Sequence, residues 1–187
     1  MLALVGLADG ERARVACAAY AVGLVAMLTV SVTYHRWVHR LCTRARWRRA
    51  DHAMIFAAIG GSATPVAVLA APGPSGAARL VIVWSLCAAG AACKLSRWAR
   101  SDAAGSLSYV VVCAVVTTLL PDLWRHGGAL PAAMFITSTV VYTVGAICFA
   151  RAFPRLRPSV FSYHEVWHVL TLLAATAHFV AVWSIAT

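Results

Sequence analysis

Charge is what this chain has least of. Only 12% of its 187 residues are Asp, Glu, Lys or Arg, and six of these are acidic. A soluble domain carries about 25%, so this chain has half of what keeps a surface wet, and a water-soluble globular fold is excluded. Paired cysteines are missing too. Cys17, Cys42, Cys87, Cys93, Cys113 and Cys148 stand singly with no Cys-x-x-Cys spacing, which argues for small apolar packing residues within helices rather than metal or redox use. Residues 1–7 are apolar but lack the basic start and long centre of a signal peptide. At roughly 10 Å of helix they also fall short of a hydrocarbon core about 30 Å thick.

What the chain does have is apolar length. Its residues are 61% hydrophobic, with a mean hydropathy of +0.78, as expected of an all-α integral membrane protein. After a polar break at residues 9–14, six segments of spanning or near-spanning length follow, at about 15–34, 51–71, 77–95, 105–120, 129–150 and 163–185. Pro65 falls inside the second, where neighbouring helices can satisfy the carbonyl it frees. Pro72, Pro74, Pro121, Pro154 and Pro158 punctuate the gaps.

A formal net charge of +10 would suggest nucleic acid in a soluble chain. Here the basic residues, fifteen of sixteen of them Arg as in GC-rich bacterial sequences, sit in short gaps between apolar runs, so no nucleic-acid partner is expected. Arg36, Arg40, Arg44, Arg46, Arg48 and Arg49 follow the first span; Lys94, Arg97 and Arg100 follow the third; Arg151, Arg155 and Arg157 follow the fifth. Those twelve share one side, against Arg12, Arg14, Arg79 and Arg125 on the other. The positive-inside rule then predicts cytoplasmic loops at 36–50, 94–102 and 151–158 of a multi-pass protein in a bacterial plasma membrane, with both chain ends outside.

This topology gathers a constellation. His164 and His168 open the last span four residues apart, on one helical face about 40° from each other. His35 closes the first span and Asp51 opens the second, at the same predicted mouth. Ser31 shares the His35 face one turn deeper. Three imidazoles with an open position for water is the arrangement of catalytic zinc sites. Asp51 is placed to hold that water and take its proton, and Ser31 to support a ligand or hydrogen-bond a substrate carbonyl. His39 and His52 are expected to face solvent or headgroups, and His126 to lie in an outer loop without a partner. His178 shares the stripe of the pair but lies some 15 Å deeper than His168, so it is expected to be packed and hydrogen-bonded. His164-Glu165-x-x-His168 also fits the metalloprotease motif, in which Glu165 would be the general base.

The motifs Ser31-Val-Thr-Tyr-His35, Asp51-His-Ala-Met-Ile-Phe56 with Thr64-Pro65, Val141-Tyr-Thr-Val-Gly145 and His164-Glu-Val-Trp-His168 with His178-Phe179 resemble the haemolysin III family, bacterial relatives of the progestin and adiponectin receptors. The likeness runs over nearly the whole chain from about residue 15. It implies a seven-helix fold with zinc near the cytoplasmic face, held by His35, His164 and His168 with Asp51 touching the bound water. In that comparison the first helix is truncated, with residues 1–8 as its remnant; restoring it would place the amino terminus in the cytoplasm. Receptor members of the wider superfamily are similar to zinc-dependent ceramidases. The resemblance therefore leaves three functions open: a zinc hydrolase of a lipid amide or ester, a pore-forming or membrane-perturbing cytolysin, and a non-catalytic regulator of membrane homeostasis with structural zinc. In each the expected partners are membrane lipids, and in the first a lipid is the substrate.

Overall fold

In lipid, every backbone N–H and C=O must be bonded within its own segment, so long runs of Ala, Val and Leu wind into helices. The computed structural model describes residues 1–96, 102–157 and 161–187, with the side chains of residues 102–107 outside that description. Arg97, Arg100 and Pro158, assigned above to connections, lie outside the described residues. The elements are α1 (Leu2–Leu7), α2 (Gly10–Trp37), α3 (Leu41–Pro65), α4 (Pro74–Leu95), α5 (Asp102–Thr117), α6 (Leu120–Asp122), α7 (Ala129–Ala150) and α8 (Tyr163–Ala186). Among the described residues, six helical segments are long and apolar enough to cross a bilayer: Gly10–Trp37, Leu41–Ala70, Pro74–Leu95, Ser108–Gly127, Ala129–Ala150 and Tyr163–Ala186. The all-helical membrane fold expected from composition is the one observed.

Several boundaries differ from the sequence expectation, for physical reasons. Residues 11–14 are not a break but the first turn of α2, where Glu11 complements the positive end of the helix. The Arg-rich stretch 36–50 is non-helical only at residues 38–40; Arg44, Arg46, Arg48 and Arg49 ride on α3. Arginine is a good helix former and its long side chain reaches water from a helix, so the helix outruns its apolar part. After Pro65 the chain continues as a wider π turn, Val66–Ala70, the adjustment that absorbs a missing N–H. The fourth span also runs past residue 120. Pro121 sits in the first turn of α6, where its missing N–H is harmless, and a second π turn, Leu123–Gly127, follows.

The chain divides into two units, Met1–His126 with Ala186–Thr187, and Gly127–Ile185. In the first unit α3 is central: 56% of its apolar window is buried, against 22% for α2 and for α4. Small residues let it be central. A methyl added at Gly23 of α2 would lie 2.5 Å from the Ala57 carbonyl oxygen, and one at Gly61 of α3 would lie 2.8 Å from the Ala19 oxygen. The two backbones therefore approach as closely as glycine allows, which is how membrane helices gain packing energy without a hydrophobic drive. On its other side α3 sends the fully buried Phe56 ring onto Gly90 of α4. Trp84 Nε1 donates to Thr64 Oγ1 over 3.2 Å, and that hydroxyl donates to the Gly60 carbonyl at 2.8 Å. The far ends of α4 and α5 are tied by Arg79, which pairs with Asp122 at 2.6 Å and donates to the Thr118 carbonyl at 2.8 Å. Exposed Val15, Val22, Val25 and Val32 cover α2, a face that only lipid tolerates.

The second unit is the pair α7 and α8. Trp167 and Leu170 of α8 close on Gly145 of α7, where an added methyl would lie 3.1 and 3.3 Å from them. Phe149 near the end of α7 meets Tyr163, His164 and Trp167 at centroid distances of 5.7, 6.1 and 5.9 Å. Deeper in this unit, His178 is 8% exposed and packs on the Phe135 ring at 5.7 Å.

Candidate functional site

The start of α8 explains the arrangement of its histidines. Ser162 precedes the helix, and its backbone N–H donates to Glu165 Oε2 at 2.8 Å. That is half of a capping box, in which a glutamate three residues on satisfies an orphan donor. The cap fixes the first turn, and the helical repeat then brings His164 and His168 together. Their ring centroids are 4.6 Å apart with planes at 88°. The other carboxylate oxygen of Glu165 lies 3.4 Å from His164 Nδ1. A carboxylate beside one ring nitrogen favours the tautomer that leaves the other nitrogen as a metal ligand. Phe149 flanks the same imidazole.

Glu165 therefore has a structural occupation that the protease motif does not supply. One oxygen holds the helix cap and the other faces its neighbouring histidine. A general base must instead face a water and the reacting carbon.

The other three candidates belong to the first unit. Ser31 and His35 lie one turn apart near the end of α2, Ser31 half-buried and His35 exposed. The His35 ring meets Tyr34 edge-on at 4.8 Å, and the Arg44 guanidinium stacks over Tyr34 at 5.6 Å. A cation–π contact of this kind joins the end of α2 to the start of α3. Asp51 is half-buried on α3, ten residues in from Leu41. The next residue, His52, is half-buried rather than solvated, and its carbonyl accepts the Tyr109 hydroxyl at 2.7 Å. His39 is exposed as expected. His126 lies in the π turn, and its Nδ1 is 3.1 Å from the main-chain carbonyl oxygen of Asp122, so it does have a partner.

Sequence reasoning missed two participants. Lys94 was assigned to a connection, yet it sits in the last turn of α4 with 9% of its surface exposed. Tyr109 of α5 stands in no motif or spacing that marks it. The signal for Lys94 was its solitude, as the only lysine of the chain. The Ser162-x-x-Glu165 cap was also readable from spacing.

A family model described as "Haemolysin-III related" matches residues 1–179. This chain belongs to the haemolysin III family. Among curated relatives, Hemolysin-3 of Bacillus cereus is 25% identical over 158 residues, covering 84% of this chain and 69% of that protein. Membership and the six apolar helices together make this haemolysin III relative a multi-pass membrane protein. The donor set also fits the group that the family implies. Two neutral-capable imidazoles stand one turn apart, with a carboxylate beside one of them, and nitrogen donors of this kind suit zinc.

Proposed function

We propose that this haemolysin III family protein holds zinc on His35, His164 and His168 and hydrolyses a lipid amide or ester at the cytoplasmic face of a bacterial plasma membrane. One observation carries this reading: the imidazole pair of α8, in ring contact and with its first member set by Glu165 and Phe149. His35, at the last turn of α2, is the third donor in the proposal. A zinc ion there supplies Lewis-acid polarisation of a carbonyl and acidifies water.

The chain's own residues do the rest. Asp51 accepts a proton from water as the hydroxide oxygen bonds to the carbonyl carbon. It returns that proton to the leaving amine or alcohol as the carbon–nitrogen or carbon–oxygen bond breaks. Ser31 donates its hydroxyl to the substrate carbonyl. The orientation rests on the count of twelve basic residues against four.

Metal analysis of the purified protein tests the site, with His164→Ala/His168→Ala beside wild type. Wild type should hold about one zinc per chain and the variant none; equal zinc in both would refute the site. Asp51→Asn should keep its zinc when loaded and lose turnover on lipid amides and esters. A second reading takes its support from the name of the relative, Hemolysin-3. A membrane-perturbing protein would release dye from liposomes at a rate that His164→Ala leaves unchanged, whereas the hydrolase would release none.

A further inference from the structure

A buried lysine in a membrane helix is expensive unless something answers its charge. The Lys94 ammonium lies 5.4 Å from the centroid of the Tyr109 ring on α5, close enough for a cation–π attraction that desolvation strengthens. The same ring lies against Phe56 of α3, with centroids 4.6 Å apart and planes at 32°. Its hydroxyl donates to the His52 carbonyl at 2.7 Å. Phe56 and His52 are four residues apart and share a face of α3. Tyr109 therefore grips α3 at two points of one turn, and Lys94 holds Tyr109 from α4.

That turn is the one that carries Asp51, the residue before His52. Successive residues of a helix are about 100° apart, so Asp51 lies off the 52/56 face against which Tyr109 of α5 packs. A hydroxyl bonded to a main-chain carbonyl resists both rotation and sliding of that turn. The bond is part-buried, so water only partly compensates either partner when it breaks.

We infer that Tyr109 is a positioning residue for Asp51, acting through the His52 carbonyl and held in place by Lys94. The inference rests on the zinc reading given above. Its test is a double-mutant cycle on zinc affinity, measured by chelator competition on the full chain in detergent. Asp51→Asn and Tyr109→Phe should each weaken zinc by about 10–100-fold, as losses around a metal's ligands do. The double variant should be no weaker than Asp51→Asn alone, because Tyr109 acts only through Asp51.

Unchanged affinity in Tyr109→Phe, or losses that add in the double variant, would overturn the inference. A purely structural role would lower the melting temperature of Tyr109→Phe without this non-additivity. Should Tyr109→Phe fail to fold, Lys94→Met keeps the hydroxyl and removes only the cation. It should weaken zinc in the same direction, and a wild-type affinity there would overturn the inference equally. His164→Ala serves as the separate control. If zinc uptake ignores that substitution, the metal reading itself falls, whereas a zinc site dependent on His164 but indifferent to Tyr109 sinks the positioning role alone.

Discussion

A single methyl group at Gly23 should damage the first unit more than its size suggests. Alanine there would place Cβ 2.5 Å from the Ala57 carbonyl oxygen, 3.2 Å from its carbon and 3.5 Å from the Ala58 Cα. All three are backbone atoms, so no side-chain rotation relieves the clash. An ordinary carbon–oxygen approach is about 3.3–3.6 Å, so α2 and α3 must part by about 1 Å. A gap of that size forfeits a quarter to a half of each contact's attraction. Overpacking of this sort costs about 1–3 kcal/mol, or about 2–12 °C of melting temperature in a chain of this length.

Thermal denaturation in detergent, followed by size-exclusion fluorescence, reads the effect. Gly61→Ala should behave alike, since its added methyl would meet the Ala19 oxygen at 2.8 Å. The two substitutions should add to less than their sum, because helices already parted have room for the second methyl. Gly6→Ala is the control: nothing lies within 4 Å of its added methyl, and replacing a helical glycine stabilises by about 0.5–1 kcal/mol. A Gly23→Ala protein melting within about 1 °C of wild type would refute the close approach of α2 and α3. The consequence reaches the candidate site, because α2 carries Ser31 and His35 while α3 carries Asp51.

Glu165→Gln keeps an oxygen to accept the Ser162 N–H, so it should leave folding near wild type. It removes the carboxylate beside His164 Nδ1 and should weaken zinc by about 10–100-fold yet keep turnover once loaded, while Glu165→Ala should also fray the start of α8 in hydrogen exchange. Loss of all turnover in Glu165→Gln would instead support the protease motif. Asp122→Asn removes the charge facing Arg79, whose side chain is 20% exposed; it should lower stability by about 1–3 kcal/mol, and an unchanged melting temperature would show the pair to be idle. Cys42 is exposed on the first turn of α3. As the sole cysteine of a variant it should react with an impermeant maleimide in inside-out vesicles and not in intact cells, and the reverse would invert the proposed topology.

The fold was legible in the sequence because each spanning helix is a local fact. Twenty apolar residues must cross as a helix whatever their neighbours do. The boundaries were less legible, and α3 shows why. A hydropathy pattern ends where Arg44, Arg46, Arg48 and Arg49 begin, but the backbone ends where its hydrogen bonds do, at Leu41. Pro121, read as a gap, misled in the same way, since its span runs on to Gly127, whereas Pro65 lies inside its span as expected. Each proline lies in a helical turn that a π turn then continues.

The candidate site divides along the same line. His164 and His168 were readable because one helical turn separates them, and so was Ser31 beside His35. The grip of Tyr109 on α3 was not, since it spans 57 residues of sequence and ends on a carbonyl oxygen. Every residue has such an oxygen, and no pattern of side chains marks which one a distant hydroxyl will find. What does leave a trace is the cost that such a contact offsets. Lys94 is the only lysine of the chain and lies within the last turn of an apolar helix. A cation in that position stays buried only if the fold brings it an aromatic face or an anion. The lone lysine was thus the readable half of a non-local contact, and Tyr109 was the half that only the folded structure supplies.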